Sequence, residues 1–152
     1  MSFLEYRTPA IYHATRTVLQ RLDAVQRRFL HDVGVDEVTA LSVFHLAPLS
    51  VRRDIAMLGL IHRTILGKGP PQFAEYFKRR GPALHDPRTD CKAPLIRRSA
   101  LGLVAIYNML PPKIVASRSV SLFQRELQNV VCEVAQTGHP QWQEILSPRL
   151  AL

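Results

Sequence analysis

Apolar side chains in this chain recur at intervals of three and four residues, segment after segment, and each segment is closed by glycine or proline. No run of four to eight residues alternates apolar with polar side chains, so the pattern offers no half-buried strand. The chain therefore reads as all-α. Val18, Leu22, Val25, Phe29 and Val33 set one apolar stripe on a helix from about Thr17 to Val33, and Gly34 stops it. Asp36 suits the cap of a short helix to Phe44, and Pro48 ends any continuation. Ser50 is the expected cap of a helix over 51–66. There Ile55, Leu58, Ile61 and Ile65, widened by Met57, Leu60 and Leu66, predict a central, buried element.

Further along, Pro70 and Pro71 open a short helix over 71–80, with Phe73, Tyr76 and Phe77 on one side. A helix over 95–110 is closed by Pro111 and Pro112. Val120, Phe123, Leu127, Val130 and Val134 mark the last long helix, over 119–136, and Trp142, Ile145 and Leu146 form a tail that can dock on the bundle. Residues 81–94 carry three prolines and a glycine without periodicity, which makes them the one long loop and a candidate hinge. The expected architecture is a compact bundle of about five to seven helices in a single domain over 1–152.

With 47% hydrophobic and 21% charged residues, the chain has apolar material for a core and is not of the disordered class. No window approaches the roughly 18 apolar residues of a membrane span, and the N-terminal residues lack the apolar run of a secretory signal. Cys91 and Cys132 make neither a disulfide framework nor a four-ligand zinc site, so a reduced, intracellular setting is expected.

Catalytic constellations are missing from the pattern. Metal-dependent polymerases and nucleases need carboxylates that hold two ions side by side. The one adjacent acidic pair, Asp36 and Glu37, stands at a helix start, where capping accounts for it. There is no phosphate-binding glycine motif and no nucleophile elbow, and the six histidines lack zinc-peptidase spacing. His85 and Cys91 share the long loop without a second ligand pair. His62 reads as a hydrogen-bonded core histidine, and Cys132 as a small core residue. No cofactor, metal or small-molecule substrate is expected.

Charge is the more informative signal. The net charge is +8, which favours polyanions. Residues 68–98 contribute +5 of it, through Lys68, Lys78, Arg79, Arg80, Arg88, Lys92, Arg97 and Arg98 against Glu75, Asp86 and Asp90. Arginines come in adjacent pairs: Arg27 and Arg28, Arg52 and Arg53, Arg79 and Arg80, Arg97 and Arg98. Neighbours on a helix point about 100° apart, so one of each pair faces solvent or a ligand. The planar guanidinium fork suits phosphate. Lys78, Arg79, Arg80, Arg88, Arg97 and Arg98 are thus candidates for contact with RNA or DNA. Arg52 and Arg53 suit that role or a structural one, Arg53 being within reach of Asp36 or Glu37. Tyr76, Phe77 and Tyr107 are candidates for base stacking, with a core role as the alternative.

Several motifs occur in order. LDAVQRRFL (Leu22–Leu30) precedes LAPLSVRRDIAMLG (Leu46–Gly59); YNMLP (Tyr107–Pro111) precedes FQREL (Phe123–Leu127); and YRTPAIYHA (Tyr6–Ala14) lies upstream. Together they resemble the C-terminal region, beyond fingers, palm and thumb, of RNA-directed DNA polymerases encoded by non-LTR (LINE-like) retrotransposons. The resemblance covers nearly the whole chain. It implies a helical region that holds template RNA or target DNA beside a polymerase core during target-primed reverse transcription. The catalytic palm with its aspartates, the endonuclease domain and the Cys/His knuckle of some relatives have no counterpart here, so the implied role is non-catalytic. A helical protein-interaction module, and a decayed remnant without activity of its own, are the alternatives. Target priming implies access to the nucleus, but the longest basic block is Lys78-Arg79-Arg80.

Overall fold

The computed structural model describes residues 8–90 and 93–148 and, of Arg79 and Arg80, the backbone. In chain order come α1 (Thr8–Ile11), α2 (Arg16–Asp32), α3 (Glu37–Ser42) and α4 (Leu49–Ile65). A small hairpin of β1 (Arg79–Arg80) and β2 (Ala83–Leu84) follows, then α5 (Pro94–Arg97), α6 (Val104–Met109), α7 (Pro112–Val115) and α8 (Val120–Gln136). The architecture is an all-α bundle framed by α2, α4 and α8, each of 17 residues. No helix among the described residues is long and apolar enough to cross a membrane.

Helix α4 is the axis, as its broad apolar pattern predicts. It packs against α8, α2, α1, the 3-10 turn Ala100–Leu103 and the 3-10 turn Trp142–Glu144. Leu58 and Ile61 meet Phe123, Leu127 and Val131 of α8 in a core joined by Leu103, Val104, Trp142 and Leu146. The tail therefore docks. Gly59 lies under the Gln124 side chain of α8, whose Nε2 would stand 2.5 Å from a Cβ at that position.

Helix starts are set by side chains. Asp36 caps α3, accepting from the backbone N–H of Val38 at 3.0 Å and of Thr39 at 2.9 Å. Hydrogen bonds from Thr39, the hydroxyl first and then the backbone, hold its carboxyl below the usual range. Ser119 caps α8. The expected cap Ser50 lies inside α4 instead, whose start follows Pro48 with no side-chain bond of its own. Gln26 of α2 supplies the missing partner. Its Oε1 accepts from Leu49 N–H at 2.9 Å and its Nε2 donates to Ala47 O at 3.2 Å.

Four further expectations change. The stripe Val18, Val25 and Phe29 of α2, with Val33 at its C-cap, faces solvent, while Leu19 and Leu30 face the core. The inward side of α2 is completed by Asp23 and Gln26, polar residues that bond to the bundle. The helix expected over 71–80 shrinks to the 3-10 turn Pro71–Phe73, because Arg79 and Arg80 are extended in β1. Gly81, at φ +66°, and Pro82 form the two-residue hairpin turn, a sequence suited to the II′ type. The helix expected over 95–110 breaks where Ser99 Oγ accepts from Leu101 N–H and starts a new turn. The segment expected as an aperiodic loop thus holds β2 and the 3-10 turn Pro87–Thr89.

Candidate nucleic-acid interface

One polar side chain fastens the hairpin to the bundle by two hydrogen bonds. Asn108 of α6 accepts from Leu84 N–H through Oδ1 at 2.8 Å and donates to Leu84 O through Nδ2 at 2.9 Å. Leu84 is buried beside Phe77, so both ends of the hairpin are anchored in the core. That places Lys78, Arg79 and Arg80 consecutively at the outer limb, with Lys78 exposed. Beyond the hairpin, α5 packs on the turn Pro87–Thr89 and leaves Arg97 exposed and Arg98 half-buried.

Two of the three acids of this segment bond to close sequence neighbours. Asp86 caps the turn through Arg88 N–H and takes three side-chain hydrogen bonds from Arg88, at 3.0, 3.0 and 2.7 Å. Burial pushes the Asp86 carboxyl up, but the Arg88 hydrogen bonds outweigh it and hold it below the usual range. The same bonds raise Arg88. Asp90 pairs with His85. Of the three acids in the basic segment, Glu75 alone is exposed and makes no ion pair among the described residues.

Two of the expected phosphate ligands are placed differently. Arg53 is buried, and one guanidinium nitrogen reaches both oxygens of Asp23 on α2, at 2.7 and 2.9 Å. Its partner is neither Asp36 nor Glu37. Arg88, half-buried, is held by Asp86 as above and offers little of its fork to a phosphate. Arg52 is half-buried and borders a groove of about 330 Å³ between α4 and α8, with Gln124, Arg125 and Gln128. Phe77 and Tyr107 are core residues, while Tyr76 stays exposed beside the hairpin. Cys91 and Lys92 lie outside the described residues.

The motif residues bond chiefly to one another. Tyr12 donates to the buried Asp54, next to the Arg53–Asp23 pair. Both pairs border a polar cavity of about 460 Å³ that Arg16, Glu37, Gln143, Glu144 and Ser147 also line. Arg16 meets Glu144 there at 2.7 Å, and Gln143 donates to Glu37. His62 is fully buried, with Nε2 2.8 Å from Ser117 O and Nδ1 2.8 Å from Tyr107 Oη. A carbonyl accepts only, so Nε2 carries the proton and Nδ1 accepts from Tyr107 in the neutral ring. Phe123 stacks on that ring at 4.1 Å. Burial pushes the His62 pKa down, with the Ser117 carbonyl opposing. Among the described residues, no group of three His, Cys, Asp or Glu side chains is placed to hold a metal ion.

A second basic group escaped the sequence reading. Arg63 and Arg118 are exposed chain neighbours of the two residues joined by the His62–Ser117 bond. Lys68, exposed one turn beyond, donates its backbone N–H to Arg63 O at 3.0 Å. The residues meet across 55 positions of sequence, and no local pattern signals that. The chain matches no family model, no curated protein and no solved structure.

Proposed function

We propose that this chain is a non-catalytic, nucleic-acid-binding helical domain of the kind found beyond the thumb of non-LTR retrotransposon reverse transcriptases. The observation that carries the reading is the hairpin. Its backbone runs through Lys78, Arg79 and Arg80 in succession beside an anchored strand, while Asp86 and Asp90 are engaged by Arg88 and His85. A phosphate backbone meets a cationic limb with little competing negative charge. Arg97, Arg63, Lys68 and Arg118 are exposed cations as well, and Tyr76 is an exposed ring next in sequence to the hairpin segment. The ordered motifs supply the family part of the reading. Their residues Asp23, Gln26, Arg53, Asp54, Tyr107 and Asn108 each make a side-chain hydrogen bond to a residue distant in sequence. The buried carboxylates Asp23 and Asp54 are engaged by Arg53 and Tyr12, consistent with a role in binding rather than chemistry.

The test is fluorescence anisotropy with labelled single-stranded RNA, single-stranded DNA and nicked duplex. With about four to six phosphate contacts, affinity falls at least about tenfold to a hundredfold from about 50 to 200 mM salt. Replacing Arg79 and Arg80 together by Ala weakens binding and lowers the salt slope by about two. A folded, monomeric chain that binds none of the three would overturn the proposal.

A further inference from the structure

Helix α2 carries an apolar seam that the bundle does not use. Val18 is 49% exposed, Val25 61%, Phe29 56% and Val33 53%, with Leu22 half-buried between them. Their spacing of 4, 3, 4 and 4 residues keeps them on one side of the helix, about a quarter-turn from the Leu19 and Leu30 face that meets the core. Val18, Leu22, Val25 and Phe29 follow the alternation of a coiled-coil seam. From Val18 to Val33 the seam runs about 22 Å at 1.5 Å per residue, the length of about four helical turns.

One edge carries positive charge along most of that length. Arg21 and Arg28, seven residues apart and both exposed, stand on the solvent edge of the seam, with Asp32 at its far end. The other edge is closed by Gln26, which ties the segment before α4 to this helix. Val43 and Phe44, just upstream of that tie, are exposed as well. In antiparallel pairing of two copies, the flanking positions of one helix meet the same positions of the other. Arg21 and Arg28 would then oppose Arg28 and Arg21, a like-charge contact that disfavours an antiparallel second copy, and a parallel copy would set them against Gln26, which is already bonded to Ala47 and Leu49.

We infer that the α2 seam docks an amphipathic helix from another protein, with acidic residues at seven-residue spacing beside its apolar stripe. Leu or similar residues of the partner fill the spaces between Val18, Leu22, Val25 and Phe29. Its acidic flank meets Arg21 and Arg28. This surface is separate from the hairpin and does not depend on the proposed nucleic-acid role.

The probe is a synthetic 21-residue peptide with a Leu seam and Glu at the flanking positions. Its controls are the same peptide with Lys for Glu, and a scrambled Glu peptide of equal composition. Binding to the full chain is read by anisotropy, with sedimentation of the chain alone. The expected result is micromolar binding of the Glu helix, at least about tenfold tighter than either control. Changing Arg21 and Arg28 to Glu reverses the preference toward the Lys helix. Changing Val25 and Phe29 to Ser abolishes binding with unchanged circular dichroism, these side chains being outside the core. Equal binding of the scrambled peptide would reduce the effect to general attraction by a basic chain and overturn the inference. So would retention of the Glu preference after charge reversal, or a dimer of the chain alone that Val25→Ser with Phe29→Ser dissolves. Nucleic-acid anisotropy on the Ser variant separates the two proposals, since loss of the helix site leaves RNA and DNA binding intact.

Discussion

Asp23 and Arg53 occupy a setting in which each charge depends on the other. Both side chains are largely shielded from water, and a charge left there without its partner has lost its hydration without compensation. Arg53→Met alone should destabilise the fold by about 3 kcal/mol, and Asp23→Leu by a similar amount. The double replacement should recover much of the loss, because a well-packed apolar pair removes both desolvation penalties. Urea denaturation of the four proteins checks this; additive losses would show that the pair is not coupled. His62 makes a different prediction. Burial lowers its pKa in the folded chain, so the unfolded chain takes up the proton more readily. Stability is full above the ordinary histidine range of about 6.5 and falls as pH drops through it. The urea midpoint should therefore decline between about pH 7.5 and 5.5, and less steeply in His62→Gln, whose amide can keep both hydrogen bonds without titrating.

At the level of elements, α4 begins without a cap of its own and borrows one from α2. Two orphan groups, Leu49 N–H and Ala47 O, are both satisfied by Gln26. Gln26→Ala should cost about 1–2 kcal/mol, in the range of a lost helix cap, and should raise hydrogen exchange at the first turn of α4. Exchange confined to α2 would refute this. The three long helices were legible because their apolar residues keep helical spacing through 17 positions each. Which side of α2 faces inward was not, because Asp23 and Gln26 mark its inward side, and a hydropathy pattern assigns polar residues to solvent. The hairpin was hidden for a related reason. Its strands have two residues each, and its anchor, Asn108, lies 24 positions beyond Leu84. Gly81-Pro82 was the local sign available.

For the molecule as a whole, charge was read correctly as a sum and incompletely as a surface. The excess of base between Lys68 and Arg98 follows from composition, but whether an arginine is available depends on where its carboxylate lies. Arg53 finds one 30 residues upstream and Arg88 one two residues back. The first distance exceeds any local pattern. Arg63 and Arg118 are brought near each other only once the bundle is closed. The same closure joins the two extremities of the described chain. Tyr12 and Arg16 share one cavity with Glu144 and Ser147, and the Arg16–Glu144 bridge spans 128 positions of sequence. The order in which the helices are strung is thus largely separable from the way they pack. A circular permutant, with residue 148 spliced to Thr8 through a flexible Gly/Ser linker of about ten residues and new termini cut between Lys68 and Gly69, should keep the helical content and melt cooperatively. The bundle can equally be read as an insert, able to enter and leave a host chain at a single point and to be carried there as a side branch.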